Sequence, residues 1–312
     1  MENKNLERGI IFGLLGAFLI GLQPIVANSR PMIIDAYLFA AMTTSVEALI
    51  FFPLALIERR KIKLDFENEK ISTEELNSLL HGYKRNVPLL IFVGGAFGFG
   101  MFLFFTGYAL AGAINGSLAQ KTALFFSLLF GSIILHEKIT KKQIGFSILL
   151  FFGLFVAVSQ GSFNLLELNA GVLVLLLLAC IWVFAHTISK PILDRKESTA
   201  IQMICIRNGI SGIILLSTYF LFFPLENISL FYDLTNIYFF VLMGFVYGCG
   251  LFCWYKTLTY LDISKASVLV SPTPVITAIF ATMLLGENFT VYHLIGTCIV
   301  MFSIYMIVRD MR

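Results

Sequence analysis

The sequence predicts an all-α polytopic membrane protein with ten transmembrane helices, arranged as two inverted five-helix repeats. The first observation is composition: 58% of the 312 residues are hydrophobic and only 13% are charged. A soluble core could not bury so much apolar surface, so this composition excludes a soluble fold. The second observation is that lysine and arginine concentrate on one predicted side of the membrane. The third is that the second half of the chain repeats the first.

Ten apolar stretches are long enough to cross the hydrocarbon core of a bilayer, which takes about 20 residues of helix. They cover residues 10–28, 34–57, 88–111, 115–135, 143–160, 169–188, 200–223, 237–258, 267–285 and 291–308. The first stretch has a basic leader, but it is longer than a signal peptide and has no small-residue cleavage site before Arg30. We therefore expect it to be retained as a helix.

The positions of the basic residues predict the orientation, because lysine and arginine are enriched in cytoplasmic loops. With the N-terminus inside, 19 of the 22 basic residues fall in inside segments, and Arg30 alone falls in an outside loop. The remaining two, Lys121 and Arg207, lie within spans. The sequence thus predicts an integral protein of the plasma (inner) membrane with both termini cytoplasmic.

The largest extramembrane piece is the predicted cytoplasmic loop 58–87. Its Ser72-Thr73-Glu74-Glu75 start and the spacing of Leu76, Leu79 and Leu80 predict a short amphipathic surface helix. The loop is too small to be a catalytic domain.

The internal repeat becomes visible when the chain is shifted against itself by 150 residues. The shift aligns Gly94 with Gly244, Gly98 with Gly248, Gly100 with Gly250, Ser117 with Ser267, Phe130 with Phe280, and Glu137 with Glu287. Because each half has an odd number of helices, the second must enter the membrane in the opposite sense. We therefore predict a first repeat over residues 1–160, with loop 58–87 inserted, and a second over 161–312. Inverted repeats are typical of secondary transporters.

Two blocks of sequence resemble the EamA-like family of the drug/metabolite transporter superfamily. One runs from Tyr108 through residues 119–140, and the other covers 265–290. The second half is the more specific, with Pro274, Gly286-Glu287 and the Ala-Ser pair at the family's spacing and Arg207 at the family's helix 7 arginine. The first half departs: Leu124 stands where Pro274 has its counterpart, and Thr43 replaces an expected arginine. The resemblance implies a ten-helix inner-membrane metabolite transporter.

Charged side chains within a bilayer are costly and usually face a cavity or a partner. The sequence has three such residues, Glu47, Lys121 and Arg207. Lys121 shares a helix face with Ser117 and Gln120. We interpret Lys121 as the group that binds an anionic part of the substrate. The alternative is that it pairs with Glu47 to hold two helices together, and Glu47 is also a candidate for relaying a coupling proton.

The remaining candidates are polar or aromatic residues in spans where the family would place pocket walls, together with helix-breaking and boundary residues. As substrate-binding residues we add Gln23, Tyr108, Trp182, Trp254 and Ser271, and as gating or structural residues Pro272, Pro274, Arg207, Glu137 and Glu287. Packing is the alternative for the aromatic residues, and snorkelling or helix-end bonding is the alternative for Arg207.

The predicted function is secondary transport of a small metabolite by alternating access, as an exporter or exchanger. The substrate would be amino-acid-like, an organic anion or a related compound. No catalytic residue, cofactor, metal or nucleic-acid partner is expected, and no ATP-binding motif is present in the sequence. The alternatives are a membrane receptor or scaffold without transport, and a membrane-embedded enzyme, for which the four scattered histidines give little support.

Overall fold

The computed structural model describes residues 2–136, 138–162, 169–260 and 269–310. Within these ranges, nine helices are long and apolar enough to cross a membrane, and Thr273–Leu285 forms a shorter apolar helix. The described residues contain helices and turns but no strand. The prediction of an all-α polytopic membrane protein is therefore confirmed. The predicted ninth span begins at residue 267, outside the described residues.

The described helices follow one another along the chain. They are α1 (Glu2–Ser29), α2 (Ala36–Glu67), α3 (Thr73–His81), α4 (Val87–Ala111), α5 (Ala113–Ala119), α6 (Ala123–Leu135), α7 (Lys141–Ser159), α8 (Ala170–Asp194), α9 (Ala200–Phe222), α10 (Leu234–Tyr260), α11 (Thr273–Phe280) and α12 (Val291–Asp310). Short 3₁₀ segments cover Gly82–Asn86, Gln120–Thr122 and Leu225–Phe231, and a π-helical turn covers Ala281–Leu285.

The chain folds into two compact units, and each takes segments from both halves of the sequence. Unit 1 comprises Met1–Pro31, Leu103–Val183 and Cys249–Arg312, and unit 2 comprises Met32–Phe102 and Phe184–Gly248. The two segments of unit 2 nearly correspond under the 150-residue shift, so each unit contains equivalent parts of both predicted repeats. The division at residue 160 stays a prediction about the repeat, and the compact units do not follow it.

Small residues let the helices of unit 1 approach closely. A Cβ atom on Gly296 of α12 would lie 2.5 Å from the carbonyl oxygen of Gly153 in α7. In the same way, a Cβ on Gly171 of α8 would lie 2.7 Å from the carbonyl oxygen of Gly107 in α4. Spans in lipid associate by such packing because the hydrophobic effect does not drive helices together there.

In unit 2, α2 packs along α9, and the first half of α4 also contacts α9. A Cβ on Gly212 of α9 would lie 2.7 Å from Ser45 Oγ of α2. Ser211 Oγ donates to the carbonyl oxygen of Gly94 in α4 at 2.6 Å. These contacts bring the intramembrane charges of α2 and α9 into one interior.

The second helix is longer than predicted. We expected it to end near residue 57, whereas α2 continues to Glu67 and is capped where the backbone N–H of Asn68 bonds to Leu64 O. The stretch from Glu58 contains good helix formers and neither glycine nor proline, so the helix continues beyond the apolar span. The predicted surface helix is present as α3, with Ser72 Oγ accepting the N–H of Glu75 at 3.2 Å.

The α8–α9 connector, defined as residues 195–199, binds the segment that contains α3. Glu197 is central: its Oε2 accepts from Asn86 Nδ2 at 2.7 Å and from Arg195 Nη2 at 2.9 Å. Lys196 Nζ pairs with Glu75 Oε1 at 2.6 Å, and a Cβ on Gly82 would lie 2.6 Å from Glu197 Cα. The connector therefore fixes the start of α4 against the start of α9.

We expect this connector to weaken in acid. The hydrogen bonds from Arg195 and then Asn86 lower the pKa of Glu197 below its usual range. Because the folded-state pKa is the lower one, the stabilisation is complete above the unfolded pKa of about 4.3 and is lost as the pH falls through the folded pKa. Thermal unfolding in detergent should therefore show an acid-dependent loss on the order of 1 kcal/mol.

The matched comparison is between Glu197→Gln and Glu74→Gln, which changes an exposed carboxylate on α3. Glu197→Gln should be less stable than the wild type at neutral pH and should lose less on acidification. An equal acid-dependent loss in wild type and Glu197→Gln would contradict the assignment.

Candidate functional site

Two breaks in the helices of unit 1 correspond under the repeat. In the fourth span, a 3₁₀ turn over Gln120–Thr122 separates α5 from α6. In the ninth, residues 271 and 272 form a turn before α11 begins at Thr273. When the sequence is shifted by 150 residues, the first break overlaps the second. Discontinuous helices of this kind line the substrate sites of many secondary transporters.

Proline explains why the second break leaves a free carbonyl. A regular helix would bond Val270 O to the N–H of residue 274, but Pro274 has no N–H. Val270 O instead accepts from Thr273 Oγ1 at 2.6 Å and from Lys121 Nζ at 3.1 Å. The predicted anion-binding lysine thus bonds to the carbonyl that the predicted gating residue Pro274 leaves without its helical partner.

Lys121 is partly exposed and carries three N–H donors. In unit 1 it donates to the neutral carbonyl oxygen of Val270, so its charge is not balanced by that contact. Two donors stay available for an anionic group. The structure gives Glu47 a partner in unit 2, described below, and the predicted pairing of Lys121 with Glu47 stays an untested alternative.

The structure ties several other predicted residues to the scaffold around the first break. Ser117 Oγ donates to Ile114 O in its own helix at 2.8 Å, and Gln120 Nε2 donates to Leu175 O of α8 at 3.4 Å. The ring of Tyr108 lies on Gly116, where a Cβ would be 2.4 Å from Tyr108 Cε1. These contacts hold α4, α5 and α8 around the turn that carries Lys121.

The aromatic candidates divide by position. The rings of Trp182 and Tyr108 both contact Phe104, at centroid distances of 5.8 Å and 4.6 Å. Trp254 is half-buried on α10. Gln23 Nε2 lies against α10, 3.2 Å from where a Cβ on Gly250 would be. Trp182 and Tyr108 therefore form one aromatic wall with Phe104, and Gln23 and Trp254 lie on the α1 and α10 side of unit 1.

Ser271 is half-buried in the turn that precedes α11, at the repeat position of Lys121. Glu287 does not contact these residues; its carboxylate accepts the backbone N–H groups of Ala113 at 2.6 Å and Ile114 at 3.0 Å. It therefore binds the start of α5. Glu137, a predicted gating or structural residue, and Ser267, the repeat counterpart of Ser117, lie outside the described residues.

A second polar cluster lies in unit 2. Glu47 of α2 is 1% exposed and accepts a hydrogen bond from Asn208 Nδ2 of α9 at 2.8 Å. Arg207 donates from Nε to Asn208 Oδ1 at 3.2 Å, and its guanidinium carbon lies 4.1 Å from the ring centroid of Phe97. His186 meets the same ring edge-on at 4.8 Å. Arg207 is 4% exposed, so the alternative that it snorkels to the membrane interface is wrong.

Sequence reasoning missed Asn208, which bridges the two charges. The sequence could have identified it, because a polar residue directly after an intramembrane arginine is costly in lipid and needs a partner.

A polar network at the start of α12 was also missed. His293 Nε2 lies 3.1 Å from Asn115 Oδ1 and 2.9 Å from Gln160 Nε2, and Thr290 Oγ1 donates to Gln160 Oε1 at 2.6 Å. The network links α5, α7 and α12 at one end of unit 1. No sequence pattern brings these four residues together. Across the described part of the chain, no three His, Cys, Asp or Glu side chains are placed to hold a metal ion.

A solved crystal structure of a protein is similar over 97% of this chain and 98% of that one, with a TM-score of 0.66 and 12% sequence identity, which supports the fold alone. No curated protein matches the sequence. The model of the EamA-like transporter family matches twice, at residues 7–159 and 169–309.

The two matches cover nearly the whole chain and correspond to the two halves related by the internal repeat. The family consists of membrane transporters of small molecules rather than enzymes. The protein therefore belongs to the EamA-like transporter family and is an integral membrane transporter of small molecules.

Proposed function

We propose that the protein is a secondary transporter that moves a small metabolite with an anionic group by alternating access, as an exporter or exchanger. The observation that carries the proposal is Lys121, whose ammonium lies at a helix break and bonds to a backbone carbonyl rather than to a carboxylate. A cation held in lipid without charge compensation from its partner is suited to bind a carboxylate or phosphate. Amino-acid-like compounds and organic anions both carry such groups.

The helix breaks support alternating access. The turns at Gln120–Thr122 and at residues 271 and 272 correspond under the internal repeat, and Lys121 bonds across them to Val270. Two halves with opposite orientation can exchange outward-open and inward-open states around a shared site. Since no ATP-binding motif is present in the sequence, the driving force would be a gradient of substrate or of an ion such as the proton.

The orientation belongs to the same proposal. The distribution of 19 of the 22 basic residues places both termini in the cytoplasm if the protein resides in a plasma (inner) membrane. Cysteine accessibility at the exposed Tyr232 and Glu69, on predicted opposite sides, would test this orientation.

The test of function is counterflow in proteoliposomes with a panel of amino acids, organic acids and phosphorylated metabolites. We expect at least one anionic compound to exchange. Lys121→Gln should then weaken its apparent affinity about 10- to 100-fold, the loss of one charge-assisted hydrogen bond, and Lys121→Arg should restore part of it. Lys142→Gln, which removes an exposed charge in the same unit, should have little effect.

The rival functions give different results. A receptor or scaffold would show neither uptake nor counterflow across the panel. If exchange occurs and Lys121→Gln keeps full affinity, transport stands and the anion-binding role of Lys121 is wrong.

A further inference from the structure

The polar cluster of unit 2 contains two opposite charges that do not touch directly. Glu47 and Arg207 are 1% and 4% exposed, and the amide of Asn208 lies between them. Asn208 Nδ2 donates to Glu47 Oε2 at 2.8 Å, and Asn208 Oδ1 accepts from Arg207 Nε at 3.2 Å. A direct salt bridge would use the N–H groups on the two Nη atoms of Arg207. Arg207 instead donates through Nε, and its two Nη groups, the Nη edge, remain available.

Both charged groups keep unused hydrogen-bonding capacity. Glu47 Oε1 is buried and has no hydrogen-bond partner among the described residues. Arg207 uses Nε, and no described residue accepts from its two Nη groups, which together carry four N–H donors. Leaving such groups unsatisfied in an apolar interior costs a few kcal/mol each.

The surroundings fix the direction of the guanidinium. Its carbon lies 4.1 Å from the ring centroid of Phe97, so the ring interacts with the charged group by a cation–π contact. His186 lies behind this ring, edge-on at 4.8 Å. With Nε held by Asn208, the Nη edge is oriented by neighbours on three helices. The paired N–H groups of this oriented Nη edge can bond to two oxygens of one carboxylate or phosphate group.

We propose that the Nη edge of Arg207 is a binding site for the carboxylate or phosphate group of a small metabolite, and that protonation of Glu47 strengthens binding there. When Glu47 is ionised, the pair is neutral and the carboxylate repels an incoming anion. When Glu47 is protonated, the pair carries one positive charge and the repulsion is removed. Among the described residues, the charged and titratable groups that face Glu47 and Arg207 are each other and, across Phe97, His186 of α8.

The site rests on the proposed function and deepens it, because it names a proton as the ion that binds together with the anionic substrate. Linkage makes the effect reciprocal: an anion bound at Arg207 favours the protonated form of Glu47. Removal of a like charge a few ångströms from the anion should change affinity by about tenfold or more at an effective dielectric constant near 20.

The experiment measures binding, not flux, by thermal unfolding of the full-length protein in detergent. Lactate is the pH probe because its charge is constant between about pH 5.5 and about pH 9.5, the range in which we would compare affinities. Wild-type protein should bind lactate about tenfold more tightly at the lower pH. Inorganic phosphate at the lower pH tests whether the site prefers phosphate to carboxylate.

Three variants assign the effect to residues. Glu47→Gln removes the charge of the carboxylate, so this variant should bind lactate tightly at both pH values. Arg207→Gln should lose the pH-dependent binding of lactate and should bind phosphate more weakly, and any binding that remains is assigned to Lys121. Arg60→Gln makes the same change at an exposed position of α2 and should behave as the wild type.

The proposal is overturned if neither anion stabilises the wild type, if Arg207→Gln binds both anions normally, or if Glu47→Gln keeps the wild-type pH dependence. Should Arg207→Gln fail to fold, Glu47→Gln still decides the question. Binding with this linkage in a protein that shows no counterflow would refute transport and leave the site standing. Transport without the linkage would refute the site alone.

Discussion

Replacing Glu287 by alanine is expected to lower the free energy of unfolding by about 3 kcal/mol. The carboxylate accepts the backbone N–H groups of Ala113 at 2.6 Å and Ile114 at 3.0 Å. Both residues are buried, with exposures of 0% and 2%, so water cannot replace the lost acceptor. The negative charge also interacts favourably with the dipole at the start of α5. Equilibrium unfolding in detergent with denaturant would measure the loss.

Glu287→Gln separates the two contributions. Glutamine keeps the shape and one acceptor oxygen, but its NH₂ group would face the second backbone N–H, so we expect about half of the alanine effect. Glu67→Ala removes an exposed carboxylate at the end of α2 and should change stability by less than about 0.5 kcal/mol. If glutamine matches the wild type and alanine matches the Glu67 control, Glu287 does not cap α5.

This cap also shows what the sequence could not reveal. Glu287 is predictable as a residue at a membrane boundary, since it ends an apolar stretch and the family pattern includes it. Its partners, Ala113 and Ile114, have no distinctive side chains and lie in the other half of the chain. The contact depends on α11 and α5 being neighbours, which follows from packing in three dimensions and has no local signature.

The two helix breaks also differ in how far the sequence reveals them. Pro272 and Pro274 mark the second break directly, because proline removes backbone donors. The first break has no proline, since Leu124 occupies the equivalent position, and yet residues Gln120–Thr122 form a 3₁₀ turn. Gln120 bonds to α8 there, at Leu175 O, so tertiary contacts accompany a break that local propensity does not predict.

The intramembrane charges could be located from the sequence. Glu47, Lys121 and Arg207 are identifiable from the sequence because lipid penalises charge strongly. Their partners were not identifiable. Lys121 bonds to the carbonyl of Val270 rather than to a side chain, and Arg207 reaches Glu47 through Asn208. A backbone carbonyl and a bridging amide leave no pattern in composition or spacing.

Replacing Gly296 by alanine is expected to destabilise the protein by about 3 kcal/mol, the upper end of the cost of overpacking. A Cβ at this position would lie 2.5 Å from Gly153 O and 2.6 Å from Ala157 Cβ. Neither atom belongs to a flexible side chain, so α12 and α7 would have to separate. Separation weakens the van der Waals contacts along the whole helix pair, and these contacts hold spans together in lipid.

A series of glycine-to-alanine variants tests this explanation. At Gly153 the nearest atom to a new Cβ is Ile299 Cγ2 at 2.8 Å, which belongs to a side chain that can shift in part, so we expect about half the cost. Gly145 lies on the same helix α7 with nothing within 4 Å of a new Cβ, and alanine there should be neutral or stabilising by up to about 1 kcal/mol. Unfolding in detergent should rank the losses as Gly296, Gly153, then Gly145. An equal loss at Gly145 and Gly296 would show that close packing of α7 and α12 is not the cause.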